Sequence, residues 1–282
     1  MTIDVERPFG YYRPTTSVRS AITMAQAAGN NPIGRLIAKM AIGFVRRSAE
    51  TPIDLQVEQL RLRCFLWDNY TERKFVFMPW RFDVRERKYL FASLPADGVV
   101  VDIGANVGVY TLLAANHMRS GARVLAIEPY APIFARLCFN ISATEQSRER
   151  WPQITPLQLG VADEEGEFDL HIHPGNLGEN SLVPAGGGQG QHERIKCLPL
   201  SRILNDHDIK RMDLLKIDIE GAEDIALIPF LRDAPESQLP RCVLLENSAD
   251  RWRLDLVGWL HKRGYSAALR TRMNTVYEIT HR

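Results

Sequence analysis

Four acidic residues and one lysine lie in or at the ends of apolar runs, where parallel strands would bring them together. Asp102 follows three valines, and Glu128 ends the next apolar run. Lys216, Asp218 and Glu220 alternate along a third run, so a strand would place them on one face. Carboxylates in such a group can bind a cation, accept hydrogen bonds from hydroxyls or remove a proton. These five residues are the first candidates for chemistry.

A glycine turn follows the first of these runs. Residues 99–111 read VVVDIGANVGVYT, in which the valines suit a buried parallel strand and the glycines allow close backbone approach. A dinucleotide fingerprint needs glycine where Asn106 stands, and Asp102 would repel a pyrophosphate. An acid at this position instead suits the ammonium group of S-adenosylmethionine. Glu128 can accept hydrogen bonds from ribose hydroxyls. The alternative is an ordinary strand–helix turn that binds no nucleotide.

Three motifs carry a family resemblance. They are VDIGANVG at 101–108, IEP at 127–129 and KIDIEGAE at 216–223. Together they resemble the FkbM-type family of S-adenosylmethionine-dependent (class I) methyltransferases. The resemblance implies a Rossmann-like α/β fold with a seven-stranded, mostly parallel sheet whose last strand is antiparallel. It also implies methyl transfer to oxygen, typically to a hydroxyl of a sugar, glycan, lipid or polyketide-type acceptor.

The resemblance assigns roles to individual residues. The cofactor-binding candidates are Asp102, Gly104, Ala105, Asn106, Gly108, Tyr110, Thr111, Glu128, Pro129, Asp163 and Asp218. Asp163 matches the place where class I methyltransferases often bind the adenine amino group. The catalytic candidates are Asp218, Glu220 and Lys216, because a hydroxyl acceptor needs its proton removed and the fourth core strand should end beside the methyl group. A structural ion-pair cluster is the alternative reading of these three residues.

Four further residues are candidates for binding the acceptor. Asn180 and Ser181 lie in a loop that resembles a family element, His173 lies on a preceding strand, and Glu246 ends the fifth core strand. Turn chemistry and surface exposure are the alternatives for the first three. No metal is assigned. Mg²⁺ at Asp218, Glu246 and Asn247, in an arrangement similar to that of catechol-type O-methyltransferases, is kept as an alternative.

Alternating strand and helix patterns predict the core. The predicted strands are 99–103, 123–128, 154–161, 213–219, 241–246, 265–270 and 275–280, and the predicted helices are 108–118, 131–143 and 250–263. Two extra strands, 167–173 and 193–198, flank a loop that contains Gly186, Gly187, Gly188 and Gly190. We expect this loop to serve as a substrate lid. The methyltransferase domain is predicted at 85–282, with an insertion at 164–199.

Residues 1–84 are predicted to form a separate N-terminal segment. Residues 1–31 read as an extended or partly ordered lead-in, and 33–47 as an amphipathic helix with basic flanks. A small β cap follows, in which a strand at 60–66 pairs with 75–77. The apolar stripe of the helix must be buried against the core, a second subunit in a homodimer or a lipid surface, the last as a peripheral membrane contact.

Composition, cysteine spacing and the length of the apolar runs argue against a disordered, a disulfide-rich or a membrane-spanning protein. The chain has 282 residues, 45% hydrophobic and 24% charged, which is ordinary for a soluble globular protein. Its four cysteines form no C-x-x-C pair, and no apolar run is long enough to cross a membrane. We therefore expect reduced thiols and a cytoplasmic location.

The residues after the fourth core strand bear on the choice of acceptor. Amino-methylating nucleic-acid methyltransferases tend to carry Asn/Asp-Pro-Pro-aromatic there, whereas this chain has DIEG at 218–221. Residues 95–282 are also net acidic, which disfavours a groove that follows a nucleic-acid backbone. We expect a small-molecule or glycan acceptor and no nucleic acid. The alternatives are a nucleic-acid methyltransferase and a non-catalytic nucleotide-binding or assembly module.

Overall fold

The structure is a computed structural model that describes residues 4–182 and 191–279. The predicted glycine positions Gly186, Gly187, Gly188 and Gly190 lie outside the described residues, as does the last residue of the predicted strand 275–280. The helices are α1 (Thr16–Ala27), α2 (Pro32–Ser48), α3 (Tyr70–Phe77), α4 (Val84–Ser93), α5 (Val109–His117), α6 (Ala131–Glu145), α7 (Leu200–Asp206), α8 (Glu223–Asp233) and α9 (Leu256–Lys262). The strands are β1 (Ile53–Val57), β2 (Leu60–Cys64), β3 (Val99–Ile103), β4 (Arg123–Ile127), β5 (Gln153–Leu157), β6 (Gly160–Val161), β7 (Gly166–His171), β8 (His192–Leu198), β9 (Leu214–Ile217), β10 (Cys242–Glu246), β11 (Tyr265–Arg270) and β12 (Asn274–Ile279).

Seven strands form the main sheet, in the order β11-β12-β10-β9-β3-β4-β5. Strand β12 runs antiparallel to both of its neighbours, while β10, β9, β3, β4 and β5 are parallel. This arrangement confirms the predicted Rossmann-like α/β fold with an antiparallel last strand. The chain moves outward from β3 to β5 and then returns to β9, so the switch point of the sheet lies between β3 and β9. In open α/β sheets, ligands bind beyond the carboxyl ends of the strands at such a point.

A second sheet of three strands, in the order β6-β8-β7, forms the predicted insertion. Its two longer strands lie close to the positions predicted for them. The predicted single strand at 154–161 is wrong, because the chain divides there into β5 of the main sheet and β6 of the second sheet. Strand β6 leaves the main sheet to pair with β8, with Gly160 opposite Cys197. A Cβ at Gly160 would lie 2.6 Å from the Cys197 sulfur, so the close pairing requires glycine.

The predicted strand at 75–77 is also wrong, because these residues end helix α3. Asn69 caps this helix by accepting a hydrogen bond from the backbone N–H of Glu72. The three residues 75–77 are fully buried, and their aromatic and β-branched side chains explain why the sequence suggested a strand. The partner of β2 is instead β1, in an antiparallel pair with Ile53 opposite Cys64.

The described part of the predicted lead-in, residues 4–31, is more ordered than the sequence predicted. Helix α1 begins after Thr15, whose hydroxyl accepts a hydrogen bond from the Val18 N–H. Its buried positions, spaced by three and four residues, are Val18, Ala21, Ile22 and Ala25. The predicted helix at 250–263 is shorter than expected. It begins only after Asp255, which caps α9 through the Gly258 N–H.

Arg63 attaches the start of the chain to the rest of the molecule. It is 1% exposed and donates two hydrogen bonds to Asp54, at 2.8 and 2.9 Å. Its remaining N–H groups donate to the backbone carbonyls of Asp4, Arg7 and Pro8. The backbone N–H groups of Arg61 and Arg63 in β2 donate to the side chains of Thr144 and Asn140 in α6. Residues before and after position 84 also share one hydrophobic core. The division at this position stays a prediction from the sequence.

No helix in the described ranges is both long enough and apolar enough to cross a membrane. The predicted apolar stripe of helix α2 divides into two faces. Ala41 and Val45 are buried against the protein, whereas Ile33, Leu36 and Met40 remain exposed.

Candidate active site

A cavity of about 350 Å³ opens at the carboxyl ends of β3, β4, β9 and β10. The predicted site residues that line it are Gly104, Ala105, Asn106, Tyr110, Glu128, Pro129, Asn180, Lys216, Asp218, Glu220 and Glu246. The predicted site residues that do not line it are Asp102, Gly108, Thr111, Asp163, His173 and Ser181. The structure therefore brings together the motifs at the ends of the main-sheet strands and leaves part of the predicted set outside the cavity.

The glycine turn is required by close packing of the backbone. Gly104 has φ +72°, and a Cβ there would lie 1.9 Å from the backbone oxygen of Asp218. Gly108 has φ +89°, and its Cβ would lie 2.7 Å from a methyl carbon of Leu137. Any larger residue would strain the turn and displace its neighbours. Gly104 thus lets the turn pack against the residue that follows β9, and Gly108 lets the start of α5 pack against α6.

Asn106 fixes the middle of this turn in a left-handed conformation, with φ 52°. Its side-chain oxygen accepts hydrogen bonds from the Val107 N–H at 2.8 Å and from the Asn69 side chain at 2.7 Å. Asn tolerates positive φ better than most residues because it can bond locally. Asn69 also caps α3, so one polar contact ties the N-terminal segment to the turn.

Glu128 lies in the cavity wall at the end of β4. Its two carboxylate oxygens accept hydrogen bonds from the backbone N–H groups of Asn106 and Tyr130, each at 3.0 Å. Burial raises the pKa of Glu128 to about 7, although these two hydrogen bonds oppose the shift. Each oxygen has a second lone pair that can accept a hydroxyl from a ligand. Glu128 is therefore positioned and oriented before any ligand arrives.

Asp102 is 1% exposed and lies beneath the turn instead of facing the cavity. Its carboxylate accepts a hydrogen bond from the Thr111 hydroxyl at 2.7 Å and pairs with Lys216 at 3.2 Å. Lys216 also donates to the Gly104 carbonyl at 2.7 Å. Here the structure differs from the sequence expectation, because the charge of Asp102 is neutralised internally. Asp102 and Thr111 thus support the turn from below.

Lys216 is a poor proton acceptor in this environment. Burial by itself would lower the pKa of Lys216, but the carboxylates of Asp102 and Asp218 outweigh burial and raise the pKa above its usual range. The lysine therefore stays protonated at neutral pH. It holds two carboxylates and a backbone carbonyl in place, which is the structural reading that the sequence left open.

Three carboxylates, which we call the acidic rim, line the cavity beyond the turn: Asp218, Glu220 and Glu246. Burial and the nearby Asp218 raise the pKa of Glu246 to about 8. Burial and Asp218 also raise the pKa of Glu220 to about 7, although Arg251 donates to its carboxylate at 2.7 Å. Burial raises the pKa of Asp218, and Lys216 opposes that shift. Because like charges this close disfavour joint ionisation, the rim holds protons near neutral pH.

Three carboxylates lie close enough together to bind a metal ion, but one of them is already engaged in hydrogen bonds. Carboxylate oxygens of Asp218, Glu223 and Glu246 lie within 4.8 Å of one another. Glu223, however, already accepts hydrogen bonds from the backbone N–H groups of 219 and 221 and from the Ser248 and Trp252 side chains. Asn247 donates to the Thr271 carbonyl and accepts from the Thr275 hydroxyl. Of the three residues in the magnesium alternative, Asp218 and Glu246 lie close together, whereas the Asn247 side chain is engaged by residues 271 and 275.

The loop at residues 172–182, which follows β7, forms one side of the cavity. Asn180 accepts a hydrogen bond from the His173 N–H at 2.9 Å, and its buried side-chain nitrogen has no partner among the described residues. Ser181 donates to the backbone oxygen of Glu220 at 2.8 Å. His173 itself is exposed, with its ring 3.6 Å from Glu179. Asn180 thus offers free donors at the cavity, whereas Ser181 connects the loop to the acidic rim.

Asp163 is exposed in the turn between β6 and β7 and does not line the cavity. The part of the cavity lining that comes from this region is instead apolar. Leu159, Leu170 and Ile195 form a hydrophobic wall that the sequence did not assign. These residues come from the insertion and from the segment leading into it, so only the pairing of β6, β7 and β8 brings them to one place.

The N-terminal segment supplies another unpredicted part of the cavity. Tyr70, Thr71 and Lys74 of α3 line it, together with Asp83. Asp83 pairs with Lys74 at 3.2 Å and accepts a hydrogen bond from the Tyr110 hydroxyl at 3.0 Å. The cap residue before α3, followed three positions later by a glutamate, was the available sequence signal for this helix.

Comparisons with known proteins identify distant relatives. A segment of AMB antimetabolite synthetase AmbE from Pseudomonas aeruginosa is 26% identical over 217 residues, which cover 63% of this chain and 10% of that protein. Methyltransferase sdnD from Sordaria araneosa is 28% identical over 164 residues, which cover 48% of this chain and 61% of that protein. The chain thus spans less than two thirds of the length of either relative.

A solved structure of methyltransferase FkbM from Methylobacillus flagellatus is 21% identical, with a TM-score of 0.45 over 75% of this chain and 55% of that one. The methyltransferase FkbM domain matches residues 102–267, which include the glycine turn, Glu128, the acidic rim and the insertion. Because this match spans more than half of the chain, the protein belongs to the FkbM family of methyltransferases.

Proposed function

We propose that this protein transfers a methyl group from S-adenosylmethionine to a hydroxyl of a small-molecule, glycan or lipid acceptor. The observation that carries the proposal is the cavity itself, which combines Glu128 at the glycine turn with an acidic rim that holds protons near neutral pH. Glu128 suits a nucleoside, and the acidic rim contains one carboxylate, Asp218, that suits removal of a hydroxyl proton.

The donor half of the cavity fits S-adenosylmethionine in its chemistry. Glu128 has lone pairs available for the ribose hydroxyls, and both of its oxygens are held by backbone amides. The apolar wall of Leu159, Leu170 and Ile195 suits the adenine ring. When bound, S-adenosylmethionine supplies an electrophilic methyl group on a sulfonium. The acidic rim favours a cation nearby, which is consistent with that charge.

Asp218 is the member of the acidic rim best suited to act as the base. Its side chain lines the cavity, and its carboxylate lies 3.9 Å from the Lys216 ammonium. Glu220 is occupied by Arg251, whereas the pKa of Glu246 near 8 keeps this residue protonated at pH 7. Lys216 favours the ionised form of Asp218, so a carboxylate is available to accept a proton.

In the proposed reaction one residue accepts the proton and two others orient the acceptor. Asp218 would accept the proton of the acceptor hydroxyl on a carboxylate oxygen. The electron pair of the hydroxyl oxygen would then form the bond to the methyl carbon while the carbon–sulfur bond breaks, so that S-adenosylhomocysteine leaves with that bond's electron pair. Glu246, protonated and with one buried oxygen lacking a partner, can donate to the acceptor and orient it. Asn180 offers a second donor from the loop. Positioning of this kind accounts for much of the rate enhancement of a displacement reaction.

The acceptor class is tested with methyl-labelled S-adenosylmethionine and a panel of glycans, lipids and hydroxylated metabolites. We expect labelled product from at least one hydroxyl compound, with the label on oxygen by carbon NMR. A matched panel of amines is the control. Label transferred to nitrogen alone would contradict hydroxyl methylation while leaving the family assignment intact.

A further inference from the structure

Helix α2 carries an exposed apolar stripe on the described surface. Ile33 is 71% exposed, Leu36 57%, Met40 66% and Phe44 38%. With about 100° of rotation per residue, these four side chains fall within one arc of about 80°. Large apolar side chains gathered on one surface mark a binding face more often than scattered ones do.

The position of this stripe is set by the packing of the helix. Ala38, Ala41 and Val45 on the neighbouring arc are buried against the protein. Arg35, Lys39 and Arg46 fall on the opposite side of the stripe by the same helical geometry. The apolar stripe therefore lies between the face that holds the helix in place and a row of positive charges.

The charge around the stripe has one sign. Residues 7–49 contain seven Lys or Arg residues and no Asp or Glu. Glu6 and Glu50 border this stretch. A second copy of the same surface would bring like charges together, so a two-fold homodimer through this face would be electrostatically opposed. An anionic surface with an apolar interior complements both the stripe and its charges.

We propose that the α1–α2 hairpin docks the protein on an anionic lipid bilayer. The apolar stripe inserts among the acyl chains near the headgroups, and the basic row contacts lipid phosphates. The docking does not depend on the proposed methyl transfer, because none of these residues lines the cavity.

The hairpin connects this surface to the cavity wall. Gln26 of α1 donates to the Val76 carbonyl of α3 at 2.9 Å. Trp80, just after α3, donates to the Ala25 carbonyl at 2.9 Å. Helix α3 lines the cavity through other residues, so the docked helices pack directly on one wall of the site. A bilayer contact there would hold the site at a fixed orientation to the membrane.

The test uses the full chain and vesicle flotation. We expect binding to phosphatidylcholine vesicles that contain phosphatidylglycerol, weak binding to phosphatidylcholine alone, and loss of binding as salt rises. The double variant Leu36→Ser, Met40→Ser should lower the partition coefficient at least tenfold. Arg35→Gln with Lys39→Gln should lower it on anionic vesicles by about tenfold or more. Leu254→Ser, at a residue 54% exposed elsewhere, is the matched control and should leave binding unchanged.

All of these substitutions are on exposed side chains, and circular dichroism melting checks that each variant folds. No binding to anionic vesicles by the folded wild-type protein would overturn the proposal. Binding that both double variants retain would do the same. A dimer in light scattering that the Leu36 and Met40 changes dissociate, without vesicle binding, would identify a second copy as the occupant instead.

Discussion

Replacing Asp218 with asparagine is expected to lower kcat by about 10²–10⁴-fold while changing the affinity for S-adenosylmethionine by only a few-fold. The amide keeps the shape of the side chain but cannot accept the proton. Lys216 keeps Asp102 as a partner at 3.2 Å, so the turn above it should remain folded. Single-turnover rates and calorimetric titration of the donor measure the two effects separately.

The pH dependence gives a second readout of the same variant. In the wild-type protein we expect kcat/KM to fall as pH rises through about 8, because Glu246 must keep its proton to donate a hydrogen bond to the acceptor. Asp218 raises the pKa of both Glu220 and Glu246, so its replacement should shift any remaining titration to lower pH.

The control for Asp218→Asn is Asp206→Asn, at an exposed carboxylate that pairs with Arg202 on helix α7. It should leave kcat and the pH profile unchanged. Full turnover in the Asp218 variant would exclude this residue as base and would leave Glu220 or Glu246 to be tested in the same way.

Replacing Glu128 with alanine should weaken donor binding about ten- to a hundred-fold. The carboxylate is expected to form charge-assisted hydrogen bonds to the ribose, and such bonds contribute about 1.5–3 kcal/mol. Glu128→Gln should have a smaller effect, because one side-chain oxygen remains as an acceptor. Because the pKa of Glu128 is about 7, wild-type affinity should increase as pH rises through that value.

Isothermal titration calorimetry measures these affinities, and Glu145→Gln, at an exposed position of α6, is the matched control. The melting temperature of each variant is needed as well, since Glu128 also holds the backbone N–H of Asn106. Equal affinity of a folded Glu128→Ala variant and the wild-type protein would remove this residue from the donor site.

The parallel core was predictable because its signals are local and consistent. Valine runs, glycine turns and intervening amphipathic helices indicated β3, β4, β9 and β10 near their observed positions. Helix α3 was not found, because its buried end at 75–77 combines residues that prefer strands, and tertiary packing on all sides overrode that preference. Helix α1 was not predicted, although its apolar residues recur at steps of three and four positions in the sequence.

The candidate site was predictable where a motif and the cavity coincide. Glu128 and Asp218 follow their strands directly, so the strand ends locate them. For Asp102 the sequence predicted the position in the strand but not the ion pair with Lys216. That pair depends on side-chain packing, which the spacing of residues along the chain does not determine. The apolar wall at Leu170 and Ile195 comes from the insertion, whose strand register the sequence did not specify.

The central claim is that the cavity binds S-adenosylmethionine through Glu128, and calorimetric titration of the wild-type chain tests it most directly. We expect one equivalent of S-adenosylmethionine to bind, S-adenosylhomocysteine to compete for the same site, and NAD to give no heat. A folded protein that binds NAD, or that gives neither heat nor a change in melting temperature with S-adenosylmethionine, would contradict the account.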